Sequence, residues 1–89
     1  MIESQIVIIN RLGIHARAAA KLVTITNHFS CSIWLGKQQD FIDAKSIMNV
    51  MMLAASKGTV LTLRTEGTDE EQAHKAVTEI INNRFDEDE

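Results

Sequence analysis

His15 is the side chain in this sequence best placed for covalent chemistry, because a helix is predicted to begin directly after it. The alanine-rich stretch 16–27 has high helix propensity. The backbone N–H groups in the first turn of a helix have no partner within the helix, so they favour an anion. A neutral imidazole nitrogen is a nucleophile near physiological pH. The residue can therefore accept a phosphoryl group, and the helix start can stabilise the added charge.

Arg17 falls in the same predicted first turn. Its guanidinium can donate a charge-assisted hydrogen bond to a phosphate oxygen, which would make it a clamp for a group carried on His15. Polar residues are also common at helix starts where no chemistry takes place. The His-x-Arg spacing alone therefore leaves both interpretations open.

The elements that must position these two residues follow from the hydrophobic periodicity and the glycine positions. A capping box at residues 68–71 predicts the start of the last helix. The predicted order is β-α-β-β-α-β-α, with strands 4–9, 31–35, 39–43 and 59–66 and helices 16–27, 47–55 and from 68 onward.

The second and fourth strands alternate between apolar and polar residues, which is typical of antiparallel strands with one face in the core. The predicted fold class is α+β, a two-layer open-faced sandwich with a four-stranded antiparallel sheet and three helices on one face. The length predicts one domain over residues 1–89. The purely acidic tail 86–89 is expected to be frayed.

Composition limits the kinds of partner that the protein can bind and the cellular compartment in which it is expected. The net charge of -3 argues against a nucleic-acid binder. Cys31 is the only cysteine, and no stretch approaches the roughly 18 apolar residues of a membrane span. We expect a cytoplasmic protein without membrane insertion. No phosphate-binding glycine motif occurs, and His28 and His74 lack metal-ligand spacing, so we expect no cofactor and no metal.

The predicted second helix has more apolar residues than one buried stripe needs. Val50, Leu53 and Ala54 can face the core together. The remaining apolar residues are Ile47, Met48, Met51 and Met52. They either form an adaptable docking patch or are covered by loops. Ser46 precedes this helix and is predicted to be its N-cap.

Three stretches together resemble the histidine-containing phosphocarrier (HPr) family of the bacterial phosphoenolpyruvate-dependent phosphotransferase system. They are Asn10–Ala19, Ala44–Met48 and Gly58–Val60. The resemblance extends over nearly the whole chain in length and element order. It implies a monomeric carrier, not an enzyme, that receives a phosphoryl group from enzyme I and passes it to an enzyme IIA in sugar uptake and its regulation.

The same resemblance implies roles for individual residues. His15 would be phosphorylated on Nδ1 with assistance from Arg17. Ser46 would be a regulatory site for an HPr kinase/phosphorylase. The residues that dock the partners would be Ala16, Ala20, Ile47, Met48 and Met51.

Ala18 departs from the family, which usually has proline directly after the arginine. Because alanine is a strong helix former, we expect the first turn to persist with a less rigid entrance, and transfer to be altered but not abolished. Ala18 and the acidic ending leave room for a nitrogen-branch or purely regulatory paralogue, whereas residues 45–48 favour a sugar-branch or kinase-regulated carrier. The sequence leaves these alternatives open.

An RNA-binding module of ferredoxin-like fold is a remote alternative, because it shares the order β-α-β-β-α-β. Such modules stack bases on aromatic side chains of a basic sheet. The predicted strands offer only Trp34 and Phe41, and the chain is acidic. Both features disfavour this function.

Overall fold

The computed structural model describes residues 1–89 and has the predicted order of elements. A short 3-10 turn, Arg84–Asp86, follows the last helix. The strands are β1 Ile2–Val7, β2 Ser32–Lys37, β3 Asp40–Asp43 and β4 Val60–Glu66, and the helices are α1 Ala16–Thr26, α2 Ile47–Met52 and α3 Glu70–Asn82.

The four strands form one antiparallel sheet in the order β1-β4-β2-β3. Leu61 and Leu63 of β4 point into the core, as the alternation predicts, and Leu63 lies opposite Leu35 of β2. The three helices cover this face, and one cluster of 20 buried apolar residues fills the space between the layers. The predicted fold class is confirmed. None of the helices is long and apolar enough to cross a membrane.

Helix α1 begins at Ala16, where the sequence predicts it. Its buried residues are Ala18, Ala19, Leu22 and Thr26. Val23 is only half-buried, because the buried face of the helix is rotated toward Ala18. Ala18 lies within the first turn of a regular helix, so the turn forms without the proline typical of the family.

Helix α2 is shorter than predicted and ends at Met52. Ala54 has a left-handed φ of 49°, which a continuing helix does not allow. Ala54 is therefore exposed, and its predicted place in the core is wrong, whereas Val50 and Leu53 are buried. At the other end Ser46 is the predicted N-cap, with its Oγ accepting a hydrogen bond of 3.3 Å from the Asn49 N–H.

The start of α3 differs from the predicted capping box. The N-cap is Asp69, and its side chain makes no capping hydrogen bond. Its carboxylate instead accepts hydrogen bonds from the backbone N–H groups of Ser30 and Cys31, at 2.8 and 2.9 Å. These bonds, that from Ser30 above all, lower the pKa of Asp69. The carboxylate thus ties the loop after α1 to the start of α3.

The acidic tail 86–89, for which the sequence predicts fraying, makes contacts with the body of the protein. Phe85 is fully buried, and Lys21 Nζ donates a hydrogen bond of 2.8 Å to its carbonyl oxygen. Residues 84–86 all have left-handed backbone, with φ of 57°, 52° and 63°. This turn reverses the chain and directs Glu87 and Glu89 back toward the start of α1.

The turn before α1 requires glycine at position 13. Gly13 has a φ of +67°, which glycine adopts at no steric cost. A Cβ atom there would lie 2.4 Å from the carbonyl oxygen of Ala55. The next residue, Ile14, donates its N–H to the same oxygen at 2.8 Å. The turn is therefore packed directly on the backbone that follows α2.

We expect Gly13→Ala to destabilise the protein more than Gly58→Ala. Gly58 also has positive φ, but a Cβ there would meet nothing within 4 Å. Backbone strain alone should cost about 1–2 kcal/mol at Gly58, and the clash at Gly13 should add about 2 kcal/mol. Urea denaturation measures both values. Equal losses in the two variants would show that the contact with Ala55 imposes no constraint.

Candidate functional site

His15 is the N-cap of α1. Its φ of -89° and ψ of -178° are extended, and its Nδ1 atom accepts a hydrogen bond of 3.3 Å from the Arg17 N–H. Its carbonyl oxygen accepts the Ala19 N–H at 2.8 Å, which opens the helix. The Gly13 turn and the buried Ile14 fix the backbone immediately before it. One ring nitrogen therefore faces the helix start.

The other ring nitrogen of His15 contacts the tail. Nε2 forms a hydrogen bond with Oε2 of Glu87, and the two side chains are 28% and 18% exposed. Glu87 Oε1 accepts a hydrogen bond of 3.0 Å from Asn10 Nδ2. The same amide donates to the Gly13 carbonyl oxygen at 2.8 Å, and Asn10 is fully buried. A carboxylate near the C-terminus is thus held against the ring by a side chain of the first loop.

Hydrogen bonding favours the ionised form of Glu87. The Asn10 amide, followed by the His15 ring, holds the pKa of this carboxyl below its usual value against the opposing effect of burial. An ionised carboxylate can only accept hydrogen bonds, and the Arg17 N–H can only donate. These partners together assign the neutral His15 ring to the tautomer with a proton on Nε2 and a lone pair on Nδ1.

An open depression of about 520 Å³ surrounds the ring, and its walls include Leu12, His15, Arg17 and Glu87. The Arg17 side chain is exposed and forms no ion pair. Arg11 differs, because its Nε lies 2.9 Å from Glu89 and its backbone N–H bonds to the Glu89 carbonyl oxygen. Arg17 is therefore the arginine available to an anion beside His15.

The apolar residues of α2 that do not enter the core are exposed. We call Ile47, Met48, Met51 and Met52 the α2 patch; they are 41%, 72%, 44% and 74% exposed. The alternative that loops cover them is therefore wrong. Ala16 and Ala20 of α1 are also exposed, and α1 packs against α2. Ser46 is half-buried at the start of the patch.

The other histidines lie apart from this site. His28 is exposed at the end of α1. His74 is half-buried on α3, and its ring hydrogen-bonds to Ser4 and Thr65. Burial lowers its pKa. No group of three or more His, Cys, Asp or Glu side chains could hold a metal ion.

Two residues of the site, Asn10 and Glu87, were missed by reasoning from the sequence. Glu87 belongs to a run of acids that is typical of a solvated tail. The one available signal was Phe85, an aromatic residue next to that run which can anchor it in the core. Nothing in the sequence distinguishes Asn10 from an ordinary turn residue.

Comparison with known proteins agrees with this geometry. The family model "PTS HPr component phosphorylation site" matches residues 2–83. A phosphocarrier protein HPr of Pseudomonas aeruginosa is 55% identical over 86 residues, which cover 96% of each chain. The structure of HPr-C-His from Thermoanaerobacter tengcongensis is 44% identical, with a TM-score of 0.95 over 100% of both chains. An HPr dimer from that organism is 45% identical, with a TM-score of 0.78, and the match covers 98% of this chain and 100% of that one. The chain therefore belongs to the HPr family of phosphocarrier proteins of the phosphotransferase system.

Proposed function

We propose that this protein carries a phosphoryl group on His15 Nδ1, receives it from enzyme I and passes it to an enzyme IIA partner in sugar uptake and its regulation. The observation that carries the proposal is the position of His15, an N-cap whose Nδ1 lone pair faces a helix start, in a depression that it shares with the unpaired Arg17. Family membership supports the partners.

The chemistry is a substitution at phosphorus. The Nδ1 lone pair forms the new N–P bond while the bond to the donor breaks, and its electron pair leaves with the donor. The new phosphoryl oxygens carry negative charge, which the first-turn N–H groups and the Arg17 guanidinium stabilise. The second transfer reverses these steps toward the acceptor. The protein has no turnover of its own, because its partners supply the catalysis.

The α2 patch, with Ala16 and Ala20, is the surface that we propose for docking both partners. Exposed methionines adapt to surfaces of different shape, which suits a carrier that must bind a donor and an acceptor in turn. We propose that the carrier acts as a monomer in the cytoplasm, although three of its structural relatives are described as dimers. Sedimentation analysis at working concentration tests the oligomeric state.

We expect His15→Ala to abolish phosphorylation by enzyme I and phosphoenolpyruvate. The measurement is the intact mass, which should rise by one phosphoryl group in the parent protein and stay constant in the variant. His28→Ala is the matched control, because His28 is exposed and remote from the helix start, so its phosphorylation should match the parent. A full increment in His15→Ala would place the acceptor elsewhere.

We expect Arg17→Ala to slow phosphorylation by about 10- to 100-fold, the loss that corresponds to one hydrogen bond to a charged group. Arg17→Lys should recover part of the rate, because the charge stays but the planar donor fork is lost. Arg64→Ala removes the same charge on β4, where Arg64 pairs with Glu3. Rapid-quench kinetics of the three variants measure the effect. Equal rates for Arg17→Ala and Arg64→Ala would exclude a role for the guanidinium.

Ser46 is proposed as a regulatory phosphorylation site for an HPr kinase/phosphorylase. Its similarity to the family over residues 44–48 and its position at the start of the α2 patch support this role. A phosphate there would add negative charge beside the docking surface while the helix start tolerates it. The modification can therefore regulate docking without unfolding the domain.

We expect ATP and an HPr kinase/phosphorylase to add one phosphoryl group to the parent protein and none to Ser46→Ala or Ser46→Asn. Asparagine is the useful control, because it preserves an N-cap, whereas alanine should lose about 1 kcal/mol of stability. Mass spectrometry and urea denaturation separate the two effects. An unmodified parent protein would favour the nitrogen-branch or purely regulatory alternative, which Ala18 and the acidic ending also suit.

A further inference from the structure

We propose that Glu87 is a positioning residue for His15, one that fixes the ring in a single tautomer and balances the positive charge that the ring acquires when Nδ1 is phosphorylated. This inference rests on the proposed role of His15 as the acceptor. Residue 87 lies beyond residues 2–83, the part of the chain that the family model matches. The role of Glu87 therefore rests on its contacts with Asn10 and His15 in this chain.

The two ring nitrogens of His15 have different hydrogen-bond partners. Nδ1 accepts the Arg17 N–H, and Nε2 meets the Glu87 carboxylate. Since the carboxylate can only accept, Nε2 carries the proton and Nδ1 keeps the lone pair that must attack phosphorus. Without the carboxylate, solvent would leave both tautomers populated, and only one of them is nucleophilic at Nδ1.

The Glu87 carboxylate is held in place by contacts on both sides. Both of its oxygens are engaged, Oε1 by Asn10 and Oε2 by His15. Asn10 is fully buried and is held by the Gly13 carbonyl oxygen, so it has one available position. On the other side, the buried Phe85 anchors the tail. A side chain fixed at both ends can orient its partner, whereas a freely moving surface glutamate cannot.

The His15 ring changes its charge when the phosphoryl group is transferred. Formation of the N–P bond consumes the Nδ1 lone pair and converts the ring to an imidazolium, which still holds its proton on Nε2. The adjacent Glu87 carboxylate stabilises that cation, as a carboxylate does for the imidazolium ion formed in a Ser-His-Asp triad. When the N–P bond breaks, the electron pair returns to Nδ1 and Nε2 keeps the same proton. No proton has to enter or leave in either direction.

The test combines a spectroscopic and a kinetic measurement on the full chain. In the unphosphorylated protein, above the titration range of histidine, ¹⁵N chemical shifts of the His15 ring should indicate one tautomer with the proton on Nε2. Glu87→Ala should move the two shifts toward each other, the signature of mixed tautomers. Its phosphorylation by enzyme I and phosphoenolpyruvate should be about 10-fold slower.

Glu87→Gln separates orientation from charge. The amide oxygen can still accept the Nε2 proton when the amide NH2 group turns toward Asn10, which then loses its acceptor. The tautomer should therefore stay closer to that of the parent protein than in Glu87→Ala, while the loss of charge should still slow phosphorylation. Asp86→Asn is the matched control: Asp86 is exposed, directly precedes Glu87 in the tail, has a side chain that forms no ion pair, and lies outside the depression around His15. It should match the parent protein in both measurements.

Two outcomes would overturn the role of Glu87. One is an unchanged ring spectrum in Glu87→Ala. The other is an equal loss of rate in Glu87→Ala and Asp86→Asn, which would mean that the rate depends only on the total negative charge of the tail. Failure of the parent protein to become phosphorylated would instead refute the proposed function. The ring spectrum of the unphosphorylated protein still tests Glu87 in that case, so the two failures are distinguishable.

Discussion

The contact between the turn at Gly13 and the backbone at Ala55 is the constraint on which the rest of the site depends. The Ala55 carbonyl oxygen accepts the Ile14 N–H and lies where any larger residue at position 13 would place its Cβ. This contact joins the start of α1 to the segment after α2. Because of it, the backbone next to His15 is held against the segment that follows the α2 patch. A partner that docks on the patch, as proposed, would then meet His15 in a defined geometry.

The parts of the fold with strong periodicity could be predicted from the sequence. The alternation of β4 and the alanine-rich stretch of α1 each have one low-energy way to bury apolar surface, so their type and position followed directly. His15 and Arg17 could be named as a pair because one predicted helix start holds both. Local patterns suffice for such features, since the interactions that decide them lie within a few residues.

The features that the sequence did not reveal depend on contacts between distant segments. Asp69 looked like part of a capping box, but its carboxylate binds the N–H groups of Ser30 and Cys31 in another loop. Glu87 looked like a solvated acid, but it binds Asn10 and His15 at the opposite end of the chain. Each of these carboxylates had two plausible partners, water or a distant donor, and only the tertiary fold decides between them.

The contact between His15 and Glu87 joins residues separated by 72 positions. Closing so long a loop costs chain entropy that only an already assembled core can offset. His15 therefore precedes by 72 positions the carboxylate that completes its surroundings. During synthesis on the ribosome, His15 emerges 72 residues before its carboxylate partner, so a nascent chain that does not yet include Glu87 holds the histidine without the setting proposed for its chemistry.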